Sequence, residues 1–209
     1  QNLFEISNYS KFDKERTKIY QISEKRKEIE TSTFSIENFL KSLKMKATIN
    51  TIDKDNISRV HQLIHRSNQF NARTKRYEKT EIIHLSTNEE YITYVISLSD
   101  NIGENGIISI AILKYVNQET LFLDTLVMSC RVFNRGIEFF LIDFLKNKFK
   151  STKVKFLMLE WIPSKKNMLI NHFYKALGYE KINNTKEIKE LESIPTSKFY
   201  IKLTDGDKI

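Results

Sequence analysis

The sequence predicts an α/β chain with a mixed central sheet flanked by helices and an N-terminal helical extension. Three observations lead there. The elements from residue 46 onward read in the order β-α-α-β-β-β-α-β-α-β. One segment, VKFLMLEWI (154–162), is a nearly continuous apolar run, as expected of a strand buried on both faces. The chain has 209 residues, 40% hydrophobic and 11% aromatic, enough for one α/β domain with a core plus an appendage.

The elements follow in order. Residues 1–31 are polar and highly charged, with apolar residues too sparse for a buried helix; they read as one exposed helix. SIENFLKSLKMK (35–46) reads as a short amphipathic helix with Ser35 at its N-cap and Asn38 where a capping box would have Glu. Lys46–Thr51 alternates as a strand. Asp53 or Asp55 then caps a helix, NISRVHQLIHR, with Ile57, Val60, Leu63 and Ile64 on one face. The polar loop SNQFNARTKRY leads to a second helix near Thr80. YITYVISLSD (91–100) and GIISIAILKY (106–115) are strands joined by DNIGENG, whose Asn, Asp and Gly content suits a hairpin loop. TLFLDTLVMSC (120–130) is a third long strand. Gly136 opens the helix GIEFFLIDFLKNKFK, Pro163 ends the strand 154–162, KKNMLINHFYKAL is the next helix, and SKFYIKL (197–203) is a final strand. The expected division is a helical extension over 1–45 and an α/β domain over 46–209.

Composition narrows the function classes. Gly numbers 5 and Pro 2, so the chain is neither low-complexity nor repetitive. No apolar run approaches the roughly 18 residues of a membrane helix, and no charged segment with an apolar stretch opens the chain as a signal would. The start at Gln1 suggests a fragment of a longer protein. Cys130, the single cysteine, excludes an internal disulfide and fits a reducing, cytoplasmic compartment. The four His and the Cys show no metal-ligand spacing, so no metal is expected. The formal charge of +8 admits a Lys-rich surface or an anionic partner. No helix-turn-helix, zinc finger or aromatic RNA-binding strand points to nucleic acid. An acidic carrier protein or a pyrophosphate would use the same positive field.

Asn167, Tyr174, Gly178 and Tyr179 stand at the spacing N-x6-Y-x3-G-(F/Y). This resembles the helix motif with which Gcn5-related N-acetyltransferases (the GNAT fold) line the arm of coenzyme A or phosphopantetheine. Four further segments in order resemble a narrower group. These are SNQFNARTKRY (67–77), SLSDNIGENGIISIAIL (97–113), DTLVMSCRVFNRGIE (124–138) and EWIPSKKN (160–167) followed by FYKALGY. Together they are similar to the C-terminal GNAT-like domains of FkbH-like proteins, which follow a HAD-type phosphatase domain. DKERTKIY and SIENFLKSLKM look like the stretch joining the two domains in that family. The resemblance implies loading of a glyceryl unit from 1,3-bisphosphoglycerate, as a thioester, onto the phosphopantetheine of an acyl carrier protein. That product feeds polyketide extender units such as methoxymalonyl. The DxDxT-type motif of the phosphatase domain is absent from this chain, so no phosphatase activity is expected of it.

The same residues can be read as chemistry. Cys130 to Gly136 stands where a GNAT has Q/R-x-x-G-x-G/A, the turn whose backbone N–H groups and helix N-terminus hold a phosphate or pyrophosphate. Arg131 and Gly136 match; Asn134 replaces the first Gly, and Asn tolerates positive φ better than other non-Gly residues. Arg131, Asn134, Arg135, Gly136 and Asn167 are therefore the cofactor-binding candidates, for CoA or a carrier-bound 4'-phosphopantetheine. Asn167 and Tyr174 lie about two turns apart on one helix face. The resemblance implies that Asn167 bonds the pantetheine arm and that Tyr174 protonates the departing thiolate, for which a tyrosine hydroxyl has a suitable pKa. Cys130, beside Arg131 and Arg135 at a helix N-terminus, could be a thiolate nucleophile, although a free Cys is more often a small buried hydrophobe. His172 is its candidate base. Asn68, Gln69, Asn71, Thr74 and Arg76, with Tyr77, crowd donors and acceptors into one segment. That segment either binds the glyceryl hydroxyls or folds on itself through Asx turns. Asp124 and Glu160, on central strands, occupy places where a base could stand. Glu138 complements the helix dipole, and Trp161 and Pro163 shape the splay between strands.

The leading reading is a glyceryl or acyl transfer domain acting with an acyl carrier protein and with an N-terminal HAD domain of the same polypeptide. The alternatives are a non-catalytic carrier-docking module and a CoA-dependent N-acetyltransferase. Neither nucleic acid nor a membrane is an expected partner.

Overall fold

A computed structural model of the chain describes Gln21, Glu24 and residues 36–177, 180–181 and 197–202. The expected helix over 1–31, the Ser35 cap, and Gly178 and Tyr179 of the helix motif lie outside the described residues. The elements are α1 (Ile36–Ser42), β1 (Lys46–Asn50), α2 (Ile57–Arg66), β2 (Phe70–Asn71), α3 (Lys79–Thr87), β3 (Tyr91–Asp100), β4 (Gly103–Tyr115), β5 (Thr120–Met128), α4 (Ile137–Phe149), β6 (Phe156–Trp161), α5 (Met168–Ala176), β7 (Glu180–Lys181) and β8 (Ser197–Lys202). A short 3-10 turn, Cys130–Val132, links β5 to α4. The sheet order is β1-β3-β4-β5-β6-β8-β7, with β2 paired to β5 beside that path. β5 and β6 run parallel; the β4–β5 and β6–β8 pairs are antiparallel. The sheet is thus mixed and flanked by helices, as the sequence predicts. β2 and β7, each two residues long, are additions to the expected order.

The chain divides into two compact units. One comprises residues 1–48 and 97–106. In it Phe39 and Leu43 are buried. The backbone N–H of Asn101 donates to the Leu43 carbonyl (3.0 Å), and its side-chain amide donates to that of Ser42 (2.9 Å). The hairpin here is tighter than the sequence suggests. β4 begins at Gly103, so the connection is Asn101–Ile102 alone. The Asp100 carboxylate explains this by accepting the N–H groups of Ile102 (3.0 Å) and Gly103 (3.1 Å).

The other unit comprises residues 49–96 and 107–209. Its core joins Val60, Leu63 and Ile64 of α2 and Ile82 and Leu85 of α3 to Val95, Ile110, Ile112 and Val127 of the sheet. The 3.6-residue period of α2 and the 2-residue period of β4 bring these faces together. Against Tyr94 of β3 packs Phe144 of α4, edge to face, with ring centroids 5.2 Å apart. All nine residues of β5 are buried, which fits a central strand covered on both faces. The cap of α2 differs from expectation. Asn56 holds the N-cap position, while the Asp53 carboxylate accepts the N–H groups of Asp55 (2.9 Å) and Asn56 (3.1 Å) just before it.

One irregularity governs the centre of the sheet. Between β4 and β5, Ile112 faces Thr125 and Leu113 faces Leu123, so Asp124 is an extra residue on β5. Such a bulge bends its strand and increases the local twist. β5 pairs with β6 only from Thr120–Phe156 to Leu123–Leu159. Beyond the bulge the two parallel strands part.

Leu157 of β6 is fully buried between β5 and β8. Leu157→Ala is expected to lower unfolding free energy by about 2–5 kcal/mol, read from urea denaturation.

Candidate functional site

The fork between β5 and β6 is filled by the chain's own residues 70–73. β2 pairs antiparallel with the far half of β5, Phe70 with Met128 and Asn71 with Val127. The Ala72 N–H reaches the Leu126 carbonyl (3.5 Å), and the Ala72 carbonyl accepts the Ile162 N–H (2.9 Å). The segment therefore bridges the two strands where they separate, and supplies partners for backbone groups that would otherwise be buried unpaired.

Asn167 locks this arrangement. It is fully buried. Its Nδ2 donates to the carbonyls of Asn71 (3.0 Å) and Ile162 (2.9 Å). Its Oδ1 accepts the Ser164 N–H (2.7 Å) and the Trp161 indole N–H (3.3 Å). The sequence suggests a pantetheine arm as the partner of Asn167; here its side chain bonds three main-chain groups and the Trp161 indole. Trp161, expected to shape the splay, is tied to this same amide.

At the vertex lies a cluster of charge. Arg73 Nε donates to Glu160 (2.6 Å), and its Nη1 donates to both the carbonyl (3.0 Å) and the carboxylate of Asp124. The Tyr77 hydroxyl donates to the other oxygen of Asp124, as does Thr125 Oγ1 (2.9 Å). Lys75 Nζ stands 3.6 Å from Asp124. The Arg73 guanidinium also lies 4.9 Å over the Phe122 ring. Glu160 has no exposed side-chain surface, and buried carboxylates are stable as charges only when paired. Burial alone would raise the Asp124 pKa. The Tyr77 hydroxyl, then Arg73, Lys75 and Thr125, outweigh it and hold the carboxyl below the usual range. Burial, then the neighbouring carboxylate, push the Tyr77 hydroxyl up, so it stays a donor. Burial opposes the Arg73 charge, but Asp124 and Glu160 prevail and raise its pKa. Asp124 and Glu160, which the sequence offered as bases, are thus bound to Arg73. Arg73 is the residue sequence reasoning missed. The signal was available: two carboxylates on apolar central strands require a cation, and Arg73 sits in the polar segment beside them.

Tyr174 is 1% exposed, in the same region. Burial raises its pKa, the nearby Arg73 charge lowers it and Glu160 raises it, with a net rise. Its hydroxyl is therefore protonated at neutral pH, as a proton donor must be. Phe70, anchoring the segment, packs against Phe133 (5.5 Å between centroids) and Phe173 of α5 (5.3 Å).

The turn after β5 has two left-handed residues, Asn134 at φ 59° and Gly136 at φ 79°. Asn134 therefore adopts the conformation that Gly would otherwise supply. Gly136 is the N-cap of α4, and a Cβ there would meet nothing; the strain of replacing it lies in its backbone angle. Arg131 Nε donates to Ser129 Oγ (3.4 Å), and Arg135 is half-buried. Glu138 occupies the first turn of α4. Burial pushes its carboxyl up, against the pull of its own backbone N–H. A phosphate at this helix end would share it with that carboxyl.

The remaining candidates disperse. Cys130 is exposed in the 3-10 turn, rather than a buried hydrophobe. His172 is exposed on α5. Among the described residues neither side chain has a hydrogen-bonded partner, so His172 is not a base for Cys130 in this arrangement. Asn68 and Gln69 are exposed, and Asn68 Oδ1 accepts from Arg76 (2.7 Å). Asn71 is buried, and its Oδ1 accepts the Thr74 N–H (2.8 Å) in an Asx turn. Thr74 has φ 56°, strained for a β-branched residue. Residues 67–77 are thus folded on themselves and into the fork, not spread as an open acceptor surface. A shallow depression lined by Glu90, Tyr115, Asn117 and Lys153 lies at the Thr120 end of β5, away from this chemistry. No helix among the described residues is long and apolar enough to cross a membrane.

The sequence matches no protein-family model and no curated protein. Solved structures do match. The ribosomal-protein-S18-alanine N-acetyltransferase from Escherichia coli superposes with a TM-score of 0.54 at 13% identity, over 78% of this chain and 97% of that one. A GNAT-family acetyltransferase from Staphylococcus aureus gives 0.58 at 13% identity, over 76% and 99%. The spermidine N-acetyltransferase from Vibrio cholerae, in complex with CoA and spermine, gives 0.53 at 14% identity, over 75% and 95%. The chain has the GNAT acetyltransferase fold.

Two outcomes follow from the site's geometry. Asn167→Ala leaves the Trp161 and Ser164 N–H groups and two carbonyls without their partner, and is expected to cost about 2–4 kcal/mol in denaturant unfolding. Because the folded-state pKa of Asp124 lies below its unfolded value, its contribution to stability is complete above about pH 4 and is lost as pH falls through the depressed value. Asp124→Asn should flatten the acid limb of a stability–pH profile below about pH 4.

Proposed function

We propose that this chain is an acyltransferase domain that accepts an acyl thioester on a phosphopantetheine arm, with coenzyme A as the donor and an amine as the acceptor. The observation that carries this is the fork between β5 and β6, flanked by the Arg131–Gly136 turn at the start of α4 and by the buried Tyr174 hydroxyl. A fork of this kind admits an extended chain that pairs with a strand edge, and the turn offers helix-terminal N–H groups and two guanidinium groups to phosphate. The fold it shares with acetyltransferases, one of them solved with CoA and spermine, supports the same chemistry.

A neutral amine attacks the thioester carbonyl, the C–N bond forms as the C–S bond breaks, and the proton that the nitrogen gives up passes through solvent to restore the Tyr174 hydroxyl. Tyr174, a neutral phenol at pH 7, gives its proton to the leaving thiolate. Arg131 and Arg135 balance the phosphate charge. Entry of the arm requires residues 70–73 to leave the fork, since they hold the edge of β5 and the Asn167 amide that the arm would use.

A second reading is favoured by the segments resembling FkbH-like proteins. Here the thioester is a glyceryl group on the phosphopantetheine of an acyl carrier protein, delivered with a HAD-type partner domain, and the exposed Cys130 is available as a covalent way-station. A docking module without chemistry would bind the carrier and transfer nothing.

Incubation with acetyl-CoA and a panel of polyamine and peptide amines, followed by mass spectrometry, tests the first reading. Acetylated amine with free CoA supports it, and Tyr174→Phe should then lower kcat by about 10²-fold or more. If acetyl-CoA is untouched while glyceryl-loaded carrier gives a glyceryl adduct on Cys130, the second reading replaces it. Inertness to both donors rejects acyl transfer by this chain.

A further inference from the structure

The geometry points to a binding site for one divalent transition-metal ion, of the zinc class, formed by His61, His65 and Glu78. His61 and His65 are four residues apart on α2, so they share one helix face. Their rings lie against each other, tilted by 33°, with centroids 4.2 Å apart. Glu78, at the N-cap of α3, brings its Oε2 to 3.6 Å from His61 Nε2. One ligand atom from each of the three lies within 4.8 Å of the others. The sequence reading found no metal-ligand spacing among the histidines; the i, i+4 pair is such a spacing, and folding adds the carboxylate.

Two details favour a metal over a chance encounter of side chains. His61 Nε2 is buried from solvent and has no hydrogen-bond partner among the described residues, an unusual state for a ring nitrogen. His65 Nε2 lies 3.2 Å from the Tyr77 carbonyl, so its N–H donates there. That leaves the Nδ1 lone pair for a metal, and a carbonyl on the second ring nitrogen is the usual support of a ligating histidine. Two imidazoles and one carboxylate match the borderline preference of Zn2+, with a fourth position left for water. The ligands lie on either side of residues 66–77. A bound ion would tie together the two ends of the loop that fills the fork, by way of His65 before it and Glu78 after it.

The test uses untagged full chain, stripped by chelator and dialysed. Zn2+ is titrated calorimetrically, and Co2+ is followed by its visible absorption. The site predicts one equivalent of Zn2+ and a tetrahedral-type Co2+ spectrum. His65→Ala and Glu78→Gln, both at exposed positions, should each weaken binding by roughly tenfold or more, whereas His84→Ala, on the same α3 helix, should not. Folding of each variant is checked by circular dichroism. Absence of binding to the wild-type chain, or binding unchanged in both His65→Ala and Glu78→Gln, overturns the site.

Discussion

A single extra residue in β5 sets the rest of this structure. The bulge at Asp124 ends the pairing of β5 with β6 after Leu123 and Leu159, and two parallel strands in the middle of a buried sheet then lose their mutual hydrogen bonds. Backbone groups in such a place must find partners. The chain solves this with its own residues. β2 takes the free edge of β5, Ala72 takes the N–H of Ile162, and Asn167 joins both sides. The bulged residue itself carries a carboxylate, and Glu160 brings a second. Arg73, with Lys75 nearby, neutralises them. The fork, its filling and its charge cluster are one unit, because each burial is tolerable only with the others present.

That unit bears directly on function. An acyl-thioester arm lying along β5 would need the hydrogen bonds that residues 70–72 now hold, and would meet Phe70 packed against Phe133 of the turn before α4. Filling of the fork and access to the turn are therefore opposed. The Thr74 backbone, at φ 56°, lies next to the segment that would have to move. Tyr174 is buried within electrostatic reach of Arg73 and Glu160 of the same unit. In the proposed chemistry, binding of the donor and withdrawal of residues 70–73 are one event.

Much of the framework was legible because single periods determine it. The nearly unbroken apolar run of β6 and the spacing of Val60, Leu63 and Ile64 on α2 leave little choice of face. Asn134 and Gly136 announce a turn needing positive φ, and both residues have it. What escaped depends on contacts between distant segments. Arg73 has meaning only opposite Asp124 and Glu160, 51 and 87 residues away. β2 is two residues of a polar loop and forms only because a bulge far along the chain frees an edge. Asn167 stands at a motif position that suits a ligand-binding residue; of its partners here, Ile162, Ser164 and Trp161 are local, and only Asn71, 96 residues away, depends on the fork. His61 and His65 were visible as a pair, but Glu78 joins them only through the packing of α2 on α3.

The measurement that bears most directly on this account is residue-resolved amide hydrogen exchange of the free chain, followed at Ile162. That N–H lies just past the end of β6, and its partner is the Ala72 carbonyl. If residues 70–73 fill the fork, the Ile162 amide exchanges slowly, as the paired amides of β5 do. Exchange at Ile162 as fast as in unstructured chain, with β5 and β6 still protected, would mean that the fork stands open and that the segment does not hold it.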